Sequence, residues 1–144
     1  FLFKSKRLAL LAILPNILPL MVAGALMGYL GIKLRPSTAM TFSIALGIAV
    51  DDTIHFLSRF RKEYKIHKVY GIAIKATLLT TGKAIINTTI ILGLGFIVFA
   101  FSQFVPNHEF GILATIILLV ALAGSMTLLP VLINYIQPKI RFKN

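Results

Sequence analysis

The chain of 144 residues contains no cysteine, and only four of its residues are acidic. Without cysteine, disulfide bonds and thiolate metal sites are excluded. Charged residues of both signs make up 13% of the chain, about half of the roughly 25% that is usual in a soluble domain. The sequence also lacks a Gly-rich phosphate loop, a nucleophile elbow and the ligand spacing of a zinc site. The sequence therefore contains no recognisable motif for hydrolytic catalysis, and we expect neither an enzyme nor a metal-binding protein.

Hydrophobic residues dominate what is present, at 58% of the chain, and the mean hydropathy is +0.90. A soluble domain of this size could not hide so much apolar surface, so the sequence predicts an all-α membrane protein. The net charge of +11 does not indicate nucleic-acid binding, because the basic residues cluster between apolar runs and act there as topology signals. We expect membrane lipid as a partner and no nucleic acid.

Four apolar runs are long enough to cross a hydrocarbon core of about 30 Å at about 1.5 Å per residue. They comprise residues 8–30, 37–58, 84–101 and 111–136. Residues 60–82 place apolar positions at spacings of three and four among basic ones, which predicts an amphipathic helix in the cytoplasmic headgroup plane. Residues 1–7 are expected to end a preceding helix and turn in the cytoplasm, and residues 137–144 to form a basic cytoplasmic tail.

The basic residues also predict the orientation of these spans. Thirteen of the fifteen fall on one side of the membrane in this arrangement, and only Lys33 and Arg35 fall on the other. Because cytoplasmic loops carry the excess of Lys and Arg, the amphipathic helix and the C-terminus are expected in the cytoplasm. The count agrees with four crossings and disagrees with three or five.

Two adjacent acids, Asp51 and Asp52, interrupt the second span. An ionised carboxylate near the centre of such a helix costs about 2.5–3.5 kcal/mol on insertion scales, so residues of this kind are usually functional. At about 100° per residue, the two side chains point to different neighbours. Gly47 lies one turn before Asp51 and leaves room for a neighbouring helix to approach closely. His55 lies one turn after Asp51 and within reach of it.

The acids have two interpretations. Burial favours the protonated form of a carboxylic acid, whereas a nearby cation favours the ionised form. An acid balanced between these effects takes up and releases protons, so we predict that Asp51 and Asp52 form a proton relay, with protons as the coupling ion and no other cofactor. The alternative is a fixed ion pair with Lys83, with Arg59 or with a helix outside the chain.

Three further residues are candidates to support the relay. His55 either passes protons from Asp51 or forms hydrogen bonds at the cytoplasmic end of the helix. Lys83 and Asn87 lie one turn apart at the start of the third span and are candidates to line the same polar interior. In the alternative, the Lys83 side chain extends to the headgroups.

The run at 47–60 (GIAVDDTIHFLSRF) resembles the Gly-x-x-x-Asp helix of the resistance–nodulation–division (RND) superfamily. It is similar above all to MMPL-type predicted exporters and hopanoid transporters of bacteria, with Patched and the sterol-sensing proteins as more distant relatives. Three further stretches agree with this resemblance: LPNILP at 14–19, TGKAIIN at 81–87, and GFIVFAFS at 95–102 followed by FG at 110–111 and LLP at 128–130. The resemblance covers essentially the whole chain.

The resemblance implies that the chain is half of an RND-type transmembrane bundle, namely the C-terminal half of a transporter's membrane domain. It implies that Asp51 carries protons and leaves the role of Asp52 open. The partners would be the N-terminal half of the same transporter, its extracytoplasmic domains and a hydrophobic substrate, and homo-oligomer formation is left open. The expected function is export of lipids or other hydrophobic molecules across the bacterial inner membrane, driven by the proton-motive force.

Two other functions share these helices. The first is a sterol- or lipid-sensing membrane module that binds without pumping. The second is the protein-export auxiliary branch of the superfamily, in which an Ala-Asn-Val run typically follows the Asp. This chain has Asp52 and Thr53-Ile54-His55 there instead, so we rank that branch third, after the exporter and the sensor.

Overall fold

The computed structural model describes residues 6–137, with side chains from Ala12 onward. Within that range the chain forms helices and no strands. Four helices are long and apolar enough to cross a membrane: α1 (Lys6–Leu30), α2 (Pro36–His67), α3 (Tyr70–Phe99) and α4 (Val105–Ile136). The prediction of an all-α membrane protein with four membrane-crossing helices is confirmed. The predicted turn at 1–7 and tail at 137–144 lie outside the described residues, except for residues 6, 7 and 137.

Residues 60–82 do not form a helix of their own, which differs from the prediction. α2 continues to His67 and ends at Lys68, whose left-handed backbone (φ 54°) places its N–H 2.9 Å from the carbonyl of Tyr64. α3 then begins at Tyr70 and runs without interruption into the third span. The prediction ended the second span where charges begin, but charge marks the edge of the hydrocarbon layer and does not end a helix. The expected position of residues 60–82 in the headgroup plane stays a prediction.

The fourth helix also differs at its start. It begins at Val105 instead of residue 111, with Pro106 in its first turn, where the missing N–H of proline costs nothing. The third helix ends at Phe99 and is followed by a short turn, in which the N–H of Phe101 bonds to the carbonyl of Val98. His108 and Glu109, which precede the predicted span at 111–136, therefore lie inside a helix.

Two helices contain a π-helical segment, Leu78–Gly82 in α3 and Gly124–Leu128 in α4. Such segments carry one residue more than the regular ladder and are frequent at functional sites. The two segments face each other, because a Cβ on Gly82 would lie 3.4 Å from the sulfur of Met126. A Cβ on Gly124 would lie 3.5 Å from the carbonyl oxygen of Pro15 in α1. The irregular parts of three helices thus lie side by side.

The core of the bundle is organised around α4, which packs against α1, α2 and the Lys83–Phe99 part of α3. One core cluster lies toward the α2–α3 connection and includes Phe56, Phe60 and Leu129. A second cluster lies toward the other end and includes Met27, Leu113 and Ile117. Because α4 is central, it fixes how far α2 and α3 stand apart.

α2 and α3 form an antiparallel pair that is closed at one end and open at the other. The first turns of α3 (Tyr70–Thr77) pack closely on α2, whereas the later part (Lys83–Phe99) barely contacts it. The two helices therefore diverge after Gly82, and a groove opens between them. The acid pair faces this groove.

Candidate functional site

The acid pair lies where α2 borders the groove, and the two carboxylates differ sharply in exposure. The side chain of Asp51 is 69% exposed, whereas Asp52 as a residue is only 8% exposed. This difference agrees with the predicted rotation of about 100° between neighbouring residues of a helix. Both carboxylates line the groove, so they share one space while having different surroundings.

His55 lies next to Asp51, as the one-turn spacing predicted. Its Nε2 atom is 3.4 Å from Oδ1 of Asp51, and both side chains are largely exposed. A protonated imidazole would form an ion pair at this distance, whereas a neutral one would contribute little. The contact places a group that can carry a proton beside the more accessible of the two acids.

Asp52 makes no hydrogen bond and no ion pair with any part of the chain that the structure describes. A buried ionised carboxylate without a partner is unfavourable, so this side chain is not held as a static structural pair. The two cations that we considered as fixed partners lie elsewhere. Arg59 pairs with Glu63, 2.7 Å away, and Lys83 is exposed and forms no ion pair with either acid among residues 6–137.

The groove has a volume of about 700 Å³, which lies within the range of ligand-binding clefts in proteins. Its walls are apolar apart from six residues: Asp51, Asp52 and His55 on α2, and Thr80, Thr81 and Thr88 on α3. Among the described residues, no lysine or arginine lines the groove. When the carboxylates are ionised and the imidazole is neutral, the groove is an anionic space that attracts cations, and protons among them.

The three threonines were not among the residues that we singled out for the relay. Thr80 and Thr88 donate their hydroxyls to carbonyls of their own helix, those of Ala76 (2.8 Å) and Ile85 (2.9 Å). Their hydroxyl oxygens can still accept hydrogen bonds from a group in the groove. The signal was present in the cluster of hydroxyls at 80–81 and 88–89, but a cluster alone does not tell which hydroxyls face the acids.

Lys83 and Asn87 do not line the groove. Both are exposed, and the stripe of α3 that faces α2 runs one residue further along, through Ala84 and Thr88. One residue corresponds to about 100° around the helix, so these two side chains project beside the groove. Their role as support for the relay stays a prediction that this geometry does not favour.

Gly47 lines the groove, but nothing in the described part of the chain approaches it. A Cβ placed on Gly47 would meet no atom within 4 Å. The predicted close approach of a neighbouring helix is therefore not made by α1, α3 or α4. If such a contact exists, a helix outside residues 6–137 makes it.

A buried polar contact fixes the acid-bearing segment to α1. The hydroxyl of Thr53, the residue after Asp52, lies 3.1 Å from Oδ1 of Asn16 and 2.9 Å from the carbonyl oxygen of Ala49. The Asn16 side-chain amide donates in turn to the carbonyl of Ala12 (2.7 Å). Asn16 lies between the two prolines of α1. Sequence reasoning missed this contact, although an Asn inside an apolar span was a signal for it.

The groove could hold a cation or a proton, but the described residues do not resemble a metal centre. Within residues 6–137, histidine and acidic side chains form no group of three that could bind a metal ion. The prediction of no metal site rests on the sequence, since the chain has no cysteine and only three histidines. What the arrangement supplies is a pair of carboxylates with unequal exposure, one imidazole and several hydroxyls.

Comparisons with known proteins agree with the resemblance found in the sequence. The sequence profile of the MMPL family matches residues 1–142. The chain is similar to the membrane protein MJ1562 of Methanocaldococcus jannaschii, with 27% identity over 96% of the chain and 37% of that protein. It is also similar to Protein patched homolog 1 of Caenorhabditis elegans, with 28% identity over 78% of the chain and 8% of that protein. No solved structure matches the chain at a comparable level.

Proposed function

The chain belongs to the MMPL family, and from this membership we propose that it supplies the proton-relay helix of an exporter driven by the proton gradient. The cargo that we propose is a lipid or another hydrophobic molecule. Members of the family are transporters and not enzymes. Because the chain spans well under half of the length of the relatives that it matches, the activity is proposed for the longer protein.

The observation that carries this proposal is the state of the acid pair. Asp52 is almost fully buried and has no partner in the described chain, Asp51 is open to the groove, and neither is neutralised by a lysine or arginine. In a structural ion pair within a membrane, a cation close to the acid keeps the carboxylate ionised and paired. No such cation lies close to either acid among the described residues, which favours acids that change protonation during a working cycle over a fixed pair within this chain.

The energies are of the size that such a cycle needs. Placing an ionised carboxylate at the centre of a membrane helix costs about 2.5–3.5 kcal/mol on insertion scales. A proton that crosses the membrane potential releases about 2.3 kcal/mol per 100 mV. The free-energy difference between the ionised and the protonated carboxylate is therefore comparable with the free energy that one proton supplies. Protonation of Asp52 can thus change which arrangement of the helices is favoured.

The open groove also supports the proposed assembly. We propose that the N-terminal half of the same transporter covers this face and approaches at Gly47, where no described residue lies within 4 Å of an added Cβ. The extracytoplasmic domains would handle the hydrophobic substrate. We place the longer protein in the bacterial inner membrane, with the α2–α3 connection and the C-terminus in the cytoplasm, because the basic residues collect on that side.

Transport by the full-length protein in proteoliposomes tests the proposal. We expect an imposed proton gradient to drive flux of a labelled lipid and, in parallel, proton movement reported by an internal pH dye. Asp51→Asn together with Asp52→Asn should abolish both signals, whereas Ser43→Ala should leave both unchanged, because that hydroxyl is exposed and, within residues 6–137, donates to the carbonyl of Ala39 in its own helix. Unchanged flux in the double variant would refute the proton relay.

A second candidate, lipid or sterol sensing without pumping, is favoured by the size of the groove. A cleft of about 700 Å³ suits a small hydrophobic ligand. The same vesicles separate the two functions. Lipid binding that is independent of the gradient, with no flux, would favour the sensor.

A further inference from the structure

The corner formed by the end of α2 and the start of α3 carries a surface that the proposed transport mechanism does not use. We call residues 58–77 the basic hairpin. α2 has 32 residues, or about 48 Å at about 1.5 Å per residue, against a hydrocarbon core of about 30 Å. Its apolar part begins near Pro36, so the excess length lies at the other end. The basic hairpin therefore lies at or beyond the headgroups, on the side that we propose to be cytoplasmic.

The exposed charge of the basic hairpin is of one sign. Four lysines are exposed on it: Lys62, Lys65, Lys68 and Lys75. Its single acid in the sequence, Glu63, is only 7% exposed. The Glu63 carboxylate is already paired with Arg59 at 2.7 Å and lies 3.6 Å from His67. No exposed carboxylate on the hairpin therefore offsets the lysines, which are available to an anionic ligand.

Exposed aliphatic side chains alternate with these lysines. Ile66 is 71% exposed, and Val69 and Ile72 are each about half exposed, at the corner itself. Aliphatic groups in water are unfavourable, whereas at the boundary between headgroups and acyl chains they gain the free energy of transfer from water. Lysines flanking such residues reach the phosphate level while their stems stay in the apolar layer.

The basic hairpin is also preformed. Aromatic rings clamp its two arms together, with the Tyr64 and Tyr70 ring centroids 4.4 Å apart and those of Phe60 and Tyr64 6.0 Å apart. Ala73 and Ile74 on the second arm are buried in the core cluster. A rigid surface loses little conformational entropy when a ligand binds.

We propose that the basic hairpin is a binding site for anionic phospholipids of the adjacent leaflet. A phospholipid fits both features, because its headgroup phosphate pairs with the lysines and its acyl chains cover the aliphatic residues. Inorganic phosphate would use only the charge and would leave the aliphatic residues in water. The site rests on the proposed orientation and does not depend on proton transport.

Quenching by brominated lipids tests this site in the full-length protein. A Val69→Trp reporter is reconstituted with brominated phosphatidylglycerol or with brominated phosphatidylcholine, and the same protein without the reporter supplies the background. We expect stronger quenching by the anionic lipid, and the preference should decrease as salt is raised. One basic residue near an anionic surface contributes about 1 kcal/mol, or about fivefold in affinity. Each Lys→Gln change at positions 62, 65, 68 and 75 should lower the preference by about that factor.

The controls separate this proposal from its alternatives. Lys33→Gln, an exposed lysine at the opposite end of the bundle, should leave the preference unchanged. Asp51→Asn with Asp52→Asn should also leave it unchanged, so loss of transport and loss of lipid binding are distinguishable. Equal quenching by both lipids, a preference that survives replacement of all four lysines, or displacement of the lipid by inorganic phosphate at low millimolar concentration would each overturn the proposal.

Discussion

Replacement of Gly111 by alanine should strongly destabilise the bundle. Gly111 lies near the start of α4, where the helix crosses the end of α3 at very short range. A Cβ on this residue would lie 2.5 Å from the backbone nitrogen of Ala100, 2.7 Å from the carbonyl oxygen of Phe96 and 2.8 Å from the carbonyl carbon of Phe99. All three atoms belong to the backbone, so no side chain can rotate away. Overpacking of a rigid site costs about 1–3 kcal/mol and occasionally more, and we expect the upper end of that range.

Gly95→Ala is the matched control for this change. Gly95 lies on α3, and a Cβ there would meet no atom within 4 Å. Alanine is favoured over glycine inside a helix by about 0.5–1 kcal/mol, so this variant should be slightly more stable than the parent. Reversible unfolding of the membrane domain in mixed micelles measures both free energies of unfolding. If Gly111→Ala is as stable as Gly95→Ala, the close contact between α3 and α4 does not exist and the reasoning fails.

Two further predictions concern buried polar contacts, and the same unfolding assay measures both. In a double-mutant cycle, Asn16→Ala and Thr53→Val should show a coupling energy of about 0.5–1.7 kcal/mol, the range seen for hydrogen bonds between membrane helices. Additive effects of the two substitutions would show that the 3.1 Å contact between these side chains contributes nothing to stability. Glu63→Gln should lower the free energy of unfolding by about 1–3 kcal/mol, because it removes the negative charge that lies 2.7 Å from the half-buried Arg59 guanidinium. Lys62→Gln on the exposed side of the same turn should change it by less than about 0.5 kcal/mol, and equal effects of these two variants would contradict a structural role for the ion pair.

The all-α class and the number of helices long enough to cross a membrane could be predicted from the sequence because both follow from local physics. An apolar run of about twenty residues can satisfy its backbone in a bilayer only as a helix, and the basic residues between the runs set the number of crossings. The helix ends at His67 and Val105 were predicted less well. Hydropathy changes where the membrane ends, whereas a helix ends where its cap is formed, in α2 by the left-handed backbone of Lys68.

Tertiary contacts explain why the site was predicted only in part. The different surroundings of Asp51 and Asp52 follow from the geometry of one helix, so they were predictable. Which face of α3 lines the groove depends on how α3 packs against α4. The π-helical segment Leu78–Gly82 also rotates every later residue of α3 relative to a regular helix. Close approach is likewise a property of two helices. Gly111 makes such a contact, but Gly47, which the motif singled out, does not make one within residues 6–137.

The two π-helical segments and the Pro15 region of α1 lie side by side in the bundle, and this affects how a movement of the acid-bearing helix is passed on. A helix bends most easily where its regular ladder of hydrogen bonds is interrupted, at prolines and at π-helical segments. Pro15 lies against the π-helical segment of α4, and that segment lies against the one in α3. The residue after Pro15, Asn16, is bonded to Thr53 beside Asp52. A shift of α2 that follows a change of charge on Asp52 would therefore reach the neighbouring helices at the positions where they resist bending least.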